Sequence, residues 1–317
     1  MGVKRVNRAS IDVSKWNALI KQSHNSLPYG YAWYLDAVSE NWEALILNDY
    51  QAVLPLPFVK KMGFKLYVQP LFNQQLGPFS LEPLNAEQLT AISNELPTSS
   101  LFFNLNFSED LISIDANKKF NPSRRINQII SLEKPLEEIE QNLNRSVRRN
   151  VKEGLSNFGD LQEIHDPKEV IEFYRAMLND KVGLREGHYD TLLKLFNKAL
   201  ENKSVIFHQL KHKETDTLVC NGAVIVDEHR IINLFSASSK KKIYKGAAST
   251  YIYLLLTKFA GKKKIFDFEG SDIPGINKFF TSFGATTTYY SNFQRIHPLL
   301  KLVYKAKVHL RTRKIKG

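Results

Sequence analysis

The sequence predicts a mixed α/β protein built from two successive halves of similar layout. Three observations carry that reading. β-Branched and aromatic runs are bounded by turn residues, amphipathic segments lie between them, and the same order of elements recurs at a nearly constant offset. The turns near Asp49 and Asp216 stand 167 positions apart, and the segments FFNLNF and IFDFEG stand 163 apart.

In the first half, Ser14 to Ile20 has helical spacing and Trp42 to Leu47 reads as a strand. Asn48, Asp49 and Tyr50 turn the chain into a second strand, Gln51 to Leu56. Leu66 to Phe72 follows, then a glycine turn at Leu76-Gly77-Pro78, a helix over Ala86 to Leu96, and the apolar strand Leu101 to Phe107. Between the halves, Pro135 to Gly154 reads as one helix, acidic at its start and basic at its end as the helix dipole prefers, with Gly154 as its C-cap. Leu143, Val147 and Val151 mark its apolar face. Arg145, Arg148, Arg149 and Lys152 fall opposite, either as a solvated face or as phosphate contacts.

In the second half, Pro167 to Leu178 is amphipathic, and Ser204 to Leu210 with Thr217 to Val226 reads as a hairpin across a Lys-Glu-Thr-Asp turn. A third strand, Arg230 to Ser236, leads into KGAAS and a helix. Lys264 to Phe268 is the fourth strand. The first N–H groups of a helix have no partner inside it, so Gly246, Ala247 and Ala248 can present donors to a phosphate. Lys240, Lys241, Lys242 and Lys245 add charge of the same sign as the dipole. The same turn also serves as an ordinary solvated helix start. Its counterpart in the first half, QQLGPFS, has no lysine and places proline after glycine, so a site is expected in the second half alone.

With 317 residues, 43% hydrophobic and 24% charged, the chain is long enough for two soluble domains. No apolar run approaches the roughly 18 residues of a membrane span. The N-terminus MGVKRVNRAS lacks the apolar core of a secretory signal, and the single cysteine, Cys220, fits a reducing compartment. A cytoplasmic protein is expected, with peripheral attachment at the inner face of the membrane as an added option. The net charge of +12 is concentrated late: Lys301, Lys305, Lys307, Arg311, Arg313, Lys314 and Lys316 lie in a tail that contains no acidic residue. Leu299, Leu302, Val303, Ala306 and Leu310 follow helical spacing there. The pattern suits either an interfacial helix on an anionic membrane or a terminal helix packed on the first domain. The packed helix is favoured because the segment is short and has no tryptophan anchor. His208 and His212 have the spacing of a helical metal pair, but VIFHQLKH is strand-like and offers no third ligand, so no metal is expected.

Taken together, SVRRNVKEG, SASSKKKIYKGAAS and DFEGSD followed by INKFFTSFGA resemble the FemAB-like branch of the GNAT superfamily. The resemblance implies two tandem GNAT-like domains, each a mixed, largely antiparallel sheet flanked by helices. The expected domains are 1–134, with a degenerate donor loop, and 135–298, with the active cleft; the basic helix 299–317 follows. It implies an N-acyltransferase that passes an acyl group from acyl-CoA or a similar activated donor to an amine acceptor, either a small molecule or a lipid-linked precursor. The donor's pyrophosphate would rest on Lys242, Tyr244, Lys245, Gly246, Ala247 and Ala248, where two strands are splayed by a β-bulge. Asp267 and Glu269, two apart on a strand and so on one face, would take the amine proton. Arg148, Arg149, Arg185, Lys278 and Phe279 are the expected substrate contacts. An aminoacyl-tRNA-dependent ligase acting on a cell-wall precursor is the alternative within the family, although its long charged helical hairpin is absent. A non-catalytic protein held on nucleic acid or a membrane by its basic tail is the alternative of another class.

Overall fold

The computed structural model of the chain describes residues 2–113, 119–262, 264–298 and 300–301. It divides into two compact units, Met1–Arg125 with the chain from Tyr290 on, and Ile126–Tyr289. The expected boundary at 134 lies beyond a strand that straddles this division, and the expected C-terminal helix, from 299 on, lies outside the described residues apart from 300 and 301.

In the first unit, β1 (Val3–Asn7), β2 (Asn41–Leu47), β3 (Ala52–Lys61) and β4 (Phe64–Val68) form an antiparallel run. The helices α1 (Val13–Gln22) and α2 (Ala32–Val38) precede β2, and the two-residue β5 (Phe79–Ser80) pairs with β3. The Asp12 carboxylate caps α1 by accepting from the Lys15 N–H, and α1 buries Trp16, Leu19 and Ile20. Crossing by α3 (Ala86–Asn94), the chain returns as β6 (Phe102–Ser108), which lies parallel to β4. Residues Tyr290–Ile296 of the last strand, β13 (Thr286–Ile296), then pair antiparallel with β6.

The second unit has its own run of strands and helices. β7 (Asn121–Ser131) enters it and is followed by α4 (Leu136–Asn142), α5 (Arg145–Asn157), β8 (Gln162–Ile164), α6 (Pro167–Val182) and α7 (Glu186–Glu201). β9 (Val205–Lys211), β10 (Leu218–Val226) and β11 (Arg230–Ser238) make an antiparallel meander with β8 at its edge. α8 (Ala247–Phe259) crosses to β12 (Ile265–Asp267), which is parallel to β11, and β7 pairs antiparallel with β12. α9 (Pro274–Thr281) follows. One face of the sheet is covered by α5 and α8, whose Val147, Val151, Tyr251, Ile252 and Leu255 pack on Leu210, Val224, Ile231 and Phe266. On β11, Phe235 stacks against Tyr174 of α6 at 3.7 Å and meets Phe196 of α7 edge-on.

The single helix expected over 135–154 is two. Asn144 breaks it, accepting the Val147 N–H with its side chain to start α5 while its own N–H goes to the Ser282 carbonyl. Gly154 is not a C-cap but an interior residue of α5. A Cβ there would collide with Thr250 Oγ1, so glycine is what lets α5 lie directly against α8.

Candidate donor and acyl site

The strands β11 and β12 are paired only over Arg230–Ile232 and Ile265–Asp267. Just past that point, two residues of β11, Asn233 and Leu234, stand opposite the single Val224 of β10. This is a β-bulge, which bends and twists the strand that carries it. β12 ends at Asp267, and β11 runs on to Ser238 with no strand paired to that side among the described residues, so this edge of β11 faces an opening. In the first unit the corresponding gap beside β6 is filled by the chain itself. Gln69 N–H and Leu76 N–H donate to the Asn104 and Asn106 carbonyls, and Ser108 N–H donates to the Gly77 carbonyl. Gln69 to Gly77 thus occupies the β6 side of the gap between β4 and β6, past the point where those two strands pair.

Beyond Ser238 the chain makes a single turn over Lys242–Tyr244 and enters α8 through Gly246. The buried Tyr244 ring packs 5.5 Å from His212 and anchors the loop. Gly246 has φ +91°, and a Cβ on it would press at 3.0 Å on the Asn150 carbonyl of α5, so both conformation and space favour glycine. No side chain caps α8. Its first N–H groups, at Ala247, Ala248 and Ser249, are of the kind that lack a carbonyl inside the helix. A cavity of about 490 Å³ lies over this turn, lined by Ser238 to Lys242 and Tyr244 to Ala248. A second cavity, of about 200 Å³, adjoins it through Ser238, Lys240 and Ala248. Its walls include Cys220, Asn233, Ser236, Tyr251, Ile252, Ile276, Phe279 and Phe280. Burial raises the pKa of both the Cys220 thiol and the Tyr251 phenol, so each stays neutral near pH 7.

Lys242, Lys245, Gly246, Ala247 and Ala248 come together on the larger cavity, where Tyr244 serves chiefly as a packed anchor. Ala247 points into the core, whereas Ala248 is half-buried and borders both cavities. The premise that Asp267 and Glu269 share a strand face does not hold. β12 stops at Asp267, and Glu269 lies on the following turn with φ +57°. Asp267 is fully buried, its Oδ2 2.5 Å from Arg230 and its Oδ1 accepting the Glu269 N–H at 2.8 Å. Phe279 lines the smaller cavity. Lys278, its neighbour, is exposed and lines neither cavity.

The three arginines stand apart from both cavities. Arg148 donates to the carbonyls of Leu143 and Gln141 at 2.8 and 3.0 Å, closing the end of α4. Arg149 is exposed on α5. Arg185 is exposed at the start of α7, where its backbone N–H donates to His188 Nδ1. Asn233, Ser236 and Tyr251 are cavity residues that sequence reasoning passed over. Their one signal was a polar residue set in the apolar run IINLF. Among the described residues no group of three or more metal-ligating side chains gathers, and no helix is long and apolar enough to cross a membrane.

No family model matches the chain, and no curated protein matches it in sequence. Solved structures do match in fold. The crystal structure of FemX superposes with a TM-score of 0.67 at 13% identity, over 96% of this chain and 100% of that one. The C-terminal domain of an Agrobacterium fabrum protein named as a lysylphosphatidylglycerol synthetase gives 0.59 at 11% identity, over 95% and 97%. A tandem GNAT protein from the clavulanic acid biosynthesis pathway gives 0.51 at 10%, over 92% and 98%. The chain has the fold of the FemAB-like, tandem GNAT proteins.

Proposed function

We propose that this protein is an N-acyltransferase that takes an acyl group from a CoA thioester held in the second unit and passes it to an amine. The observation that carries this reading is the junction of the two cavities, where an open strand edge beyond the Asn233–Leu234 bulge meets the uncapped, lysine-flanked start of α8. The helix start and Lys240 to Lys245 suit the pyrophosphate. The open edge of β11 suits the amides of an extended pantetheine arm, which would add to it as a strand does. The thioester carbonyl then lies near the bulge, where β11 N–H groups can support the developing oxyanion.

In the reaction the amine nitrogen attacks the carbonyl carbon, the C–N bond forms, the C–S bond breaks, and the thiolate leaves. One proton must be removed from the nitrogen. Asp267 is committed to Arg230 and the Glu269 N–H, so it is assigned to hold the strand end. Glu269, half-buried on the turn, is assigned to the amine proton. Proximity supplies most of the remaining acceleration, because the donor is already activated. Names among the fold neighbours, a lysylphosphatidylglycerol synthetase for one, make a lipid-linked acceptor worth including beside sugars and amino acids.

Calorimetric titration with CoA and acetyl-CoA tests the donor. Micromolar binding that is lost in Ala248→Asp is expected, since Asp places a carboxylate where the phosphates belong. Absence of binding by either compound would remove the CoA reading. RNase-sensitive transfer of an amino acid from charged tRNA would put the aminoacyl ligase in its place.

A further inference from the structure

Resting on that donor assignment, we infer from the smaller cavity which acyl group is carried: a short, uncharged acyl chain bearing a hydroxyl group. About 200 Å³ holds roughly six or seven heavy atoms at about 30 Å³ each, and Cys220, Ile252, Phe279 and Phe280 are among the residues that wall it. That volume encloses a short acyl chain, and the rest of a long fatty chain would have to leave through the open side.

Two polar atoms of the lining residues, Asn233 Oδ1 and Tyr251 Oη, are buried and have no hydrogen-bond partner. Asn233 as a whole is 7% exposed and Tyr251 1%. Buried polar atoms are nearly always paired, and each one left unpaired is a cost that a ligand can relieve. Asn233 Oδ1 can only accept, whereas the Tyr251 hydroxyl can donate. Space is made for the phenol by Gly222 on β10, since a Cβ on it would lie 2.7 Å from Tyr251 Oη and 2.8 Å from Ser236 Cβ.

To satisfy the Asn233 oxygen and the buried proton of the Tyr251 hydroxyl together, a group must donate to the first and accept from the second. A hydroxyl does both, whereas a ketone only accepts and a methylene does neither. Charge settles the remaining choice. Lys240 is the one charged residue in the lining, and it lies at the shared mouth; Cys220 and Tyr251 are neutral inside. A free ammonium or carboxylate placed in the interior would therefore have no counter-charge there.

The test is calorimetry on the full chain with CoA, butyryl-CoA, 3-hydroxybutyryl-CoA and hexadecanoyl-CoA. The expected order is 3-hydroxybutyryl-CoA at least tenfold tighter than butyryl-CoA, with hexadecanoyl-CoA no tighter than CoA itself. In Tyr251→Phe and in Asn233→Ser, each checked for an unchanged melting temperature, CoA should bind as in wild type while the preference for the hydroxyl shrinks several-fold. Equal binding of the two four-carbon thioesters, or tighter binding of the long chain, overturns the inference and leaves the donor assignment standing. Failure of CoA and all three thioesters to bind overturns both.

Discussion

Asp267 and Glu269 are close in sequence and differ in environment, which separates what their substitution should do. The Asp267 carboxylate is fully buried against Arg230, so Asp267→Ala strands a guanidinium and is expected to cost about 3–5 kcal/mol of stability in urea unfolding. Glu269→Gln should leave the urea midpoint in place and lower kcat by about 100-fold, the lower scale for a lost general base. Activity unchanged by Glu269→Gln would assign the proton to solvent. The acidic pair was legible in DFEGSD, but its division of labour was not. Arg230 is 37 positions away and meets Asp267 only because β11 and β12 run parallel in one register.

His208 makes a second test at the same scale. Burial, and then the charge of Lys258 3.1 Å from its Nε2, push its pKa down to about 4 from the ordinary 6.5, against a smaller opposing pull from Glu163. Below pH 6.5 the unfolded imidazole binds a proton that the folded one refuses. Stability that is fully present above pH 6.5 is therefore lost as pH falls toward 4, by about 3 kcal/mol in all. His208→Gln should flatten urea stability against pH between 7 and 4 by about that amount; parallel curves for the two proteins would exclude the effect.

At the scale of elements, the contact of α5 with α8 is what holds the start of α8 in place. Thr250 donates its hydroxyl to the Gly246 carbonyl, Gly154 lies against Thr250, and Asn150 lies against Gly246. Gly154→Ala should destabilise the protein by about 1–3 kcal/mol through overpacking and weaken CoA binding as the helix start shifts. Adding Thr250→Ala should recover part of the stability, because it removes the atom the new Cβ strikes. Most strands and the helices α1, α3, α6 and α8 were readable from period and turn residues, since those signals are local, whereas α7 was not read. The bulge in β11 was expected only through the family resemblance, and the break at Asn144 was not expected at all. A bulge depends on how two strands are paired, and Asn144 commits its N–H to Ser282, far along the chain.

At the scale of the molecule, the two units differ in what lies between their parting parallel strands: Gln69 to Gly77 fills the gap between β4 and β6, and no described segment fills the gap between β11 and β12. The missing lysines of QQLGPFS led the sequence reading to expect a donor loop in the second half alone; the bonds of Gln69 to Gly77 to β6 gave no such sign, because a chain that hydrogen-bonds across its own gap has no compositional mark. Hydrogen exchange with and without CoA should reveal the difference. Protection is expected over Ser238 to Ser249 and no change over Gln69 to Pro78; protection in both would mean that each unit binds the donor.

The pairing of β6 with Tyr290–Ile296 has a consequence for how the chain is made. A ribosome that has finished Arg125 must add more than 160 further residues before the strand that borders β6 emerges, roughly ten to thirty seconds at common elongation rates. Throughout that interval the first unit carries an unpaired edge bearing Phe103, Leu105 and Phe107, a template for wrong partners. Chains truncated before Tyr290 should therefore aggregate or be held by chaperones. A version rearranged so that β13 is translated directly after β6, with β7 beginning the other unit, should emerge from the ribosome without such dependence.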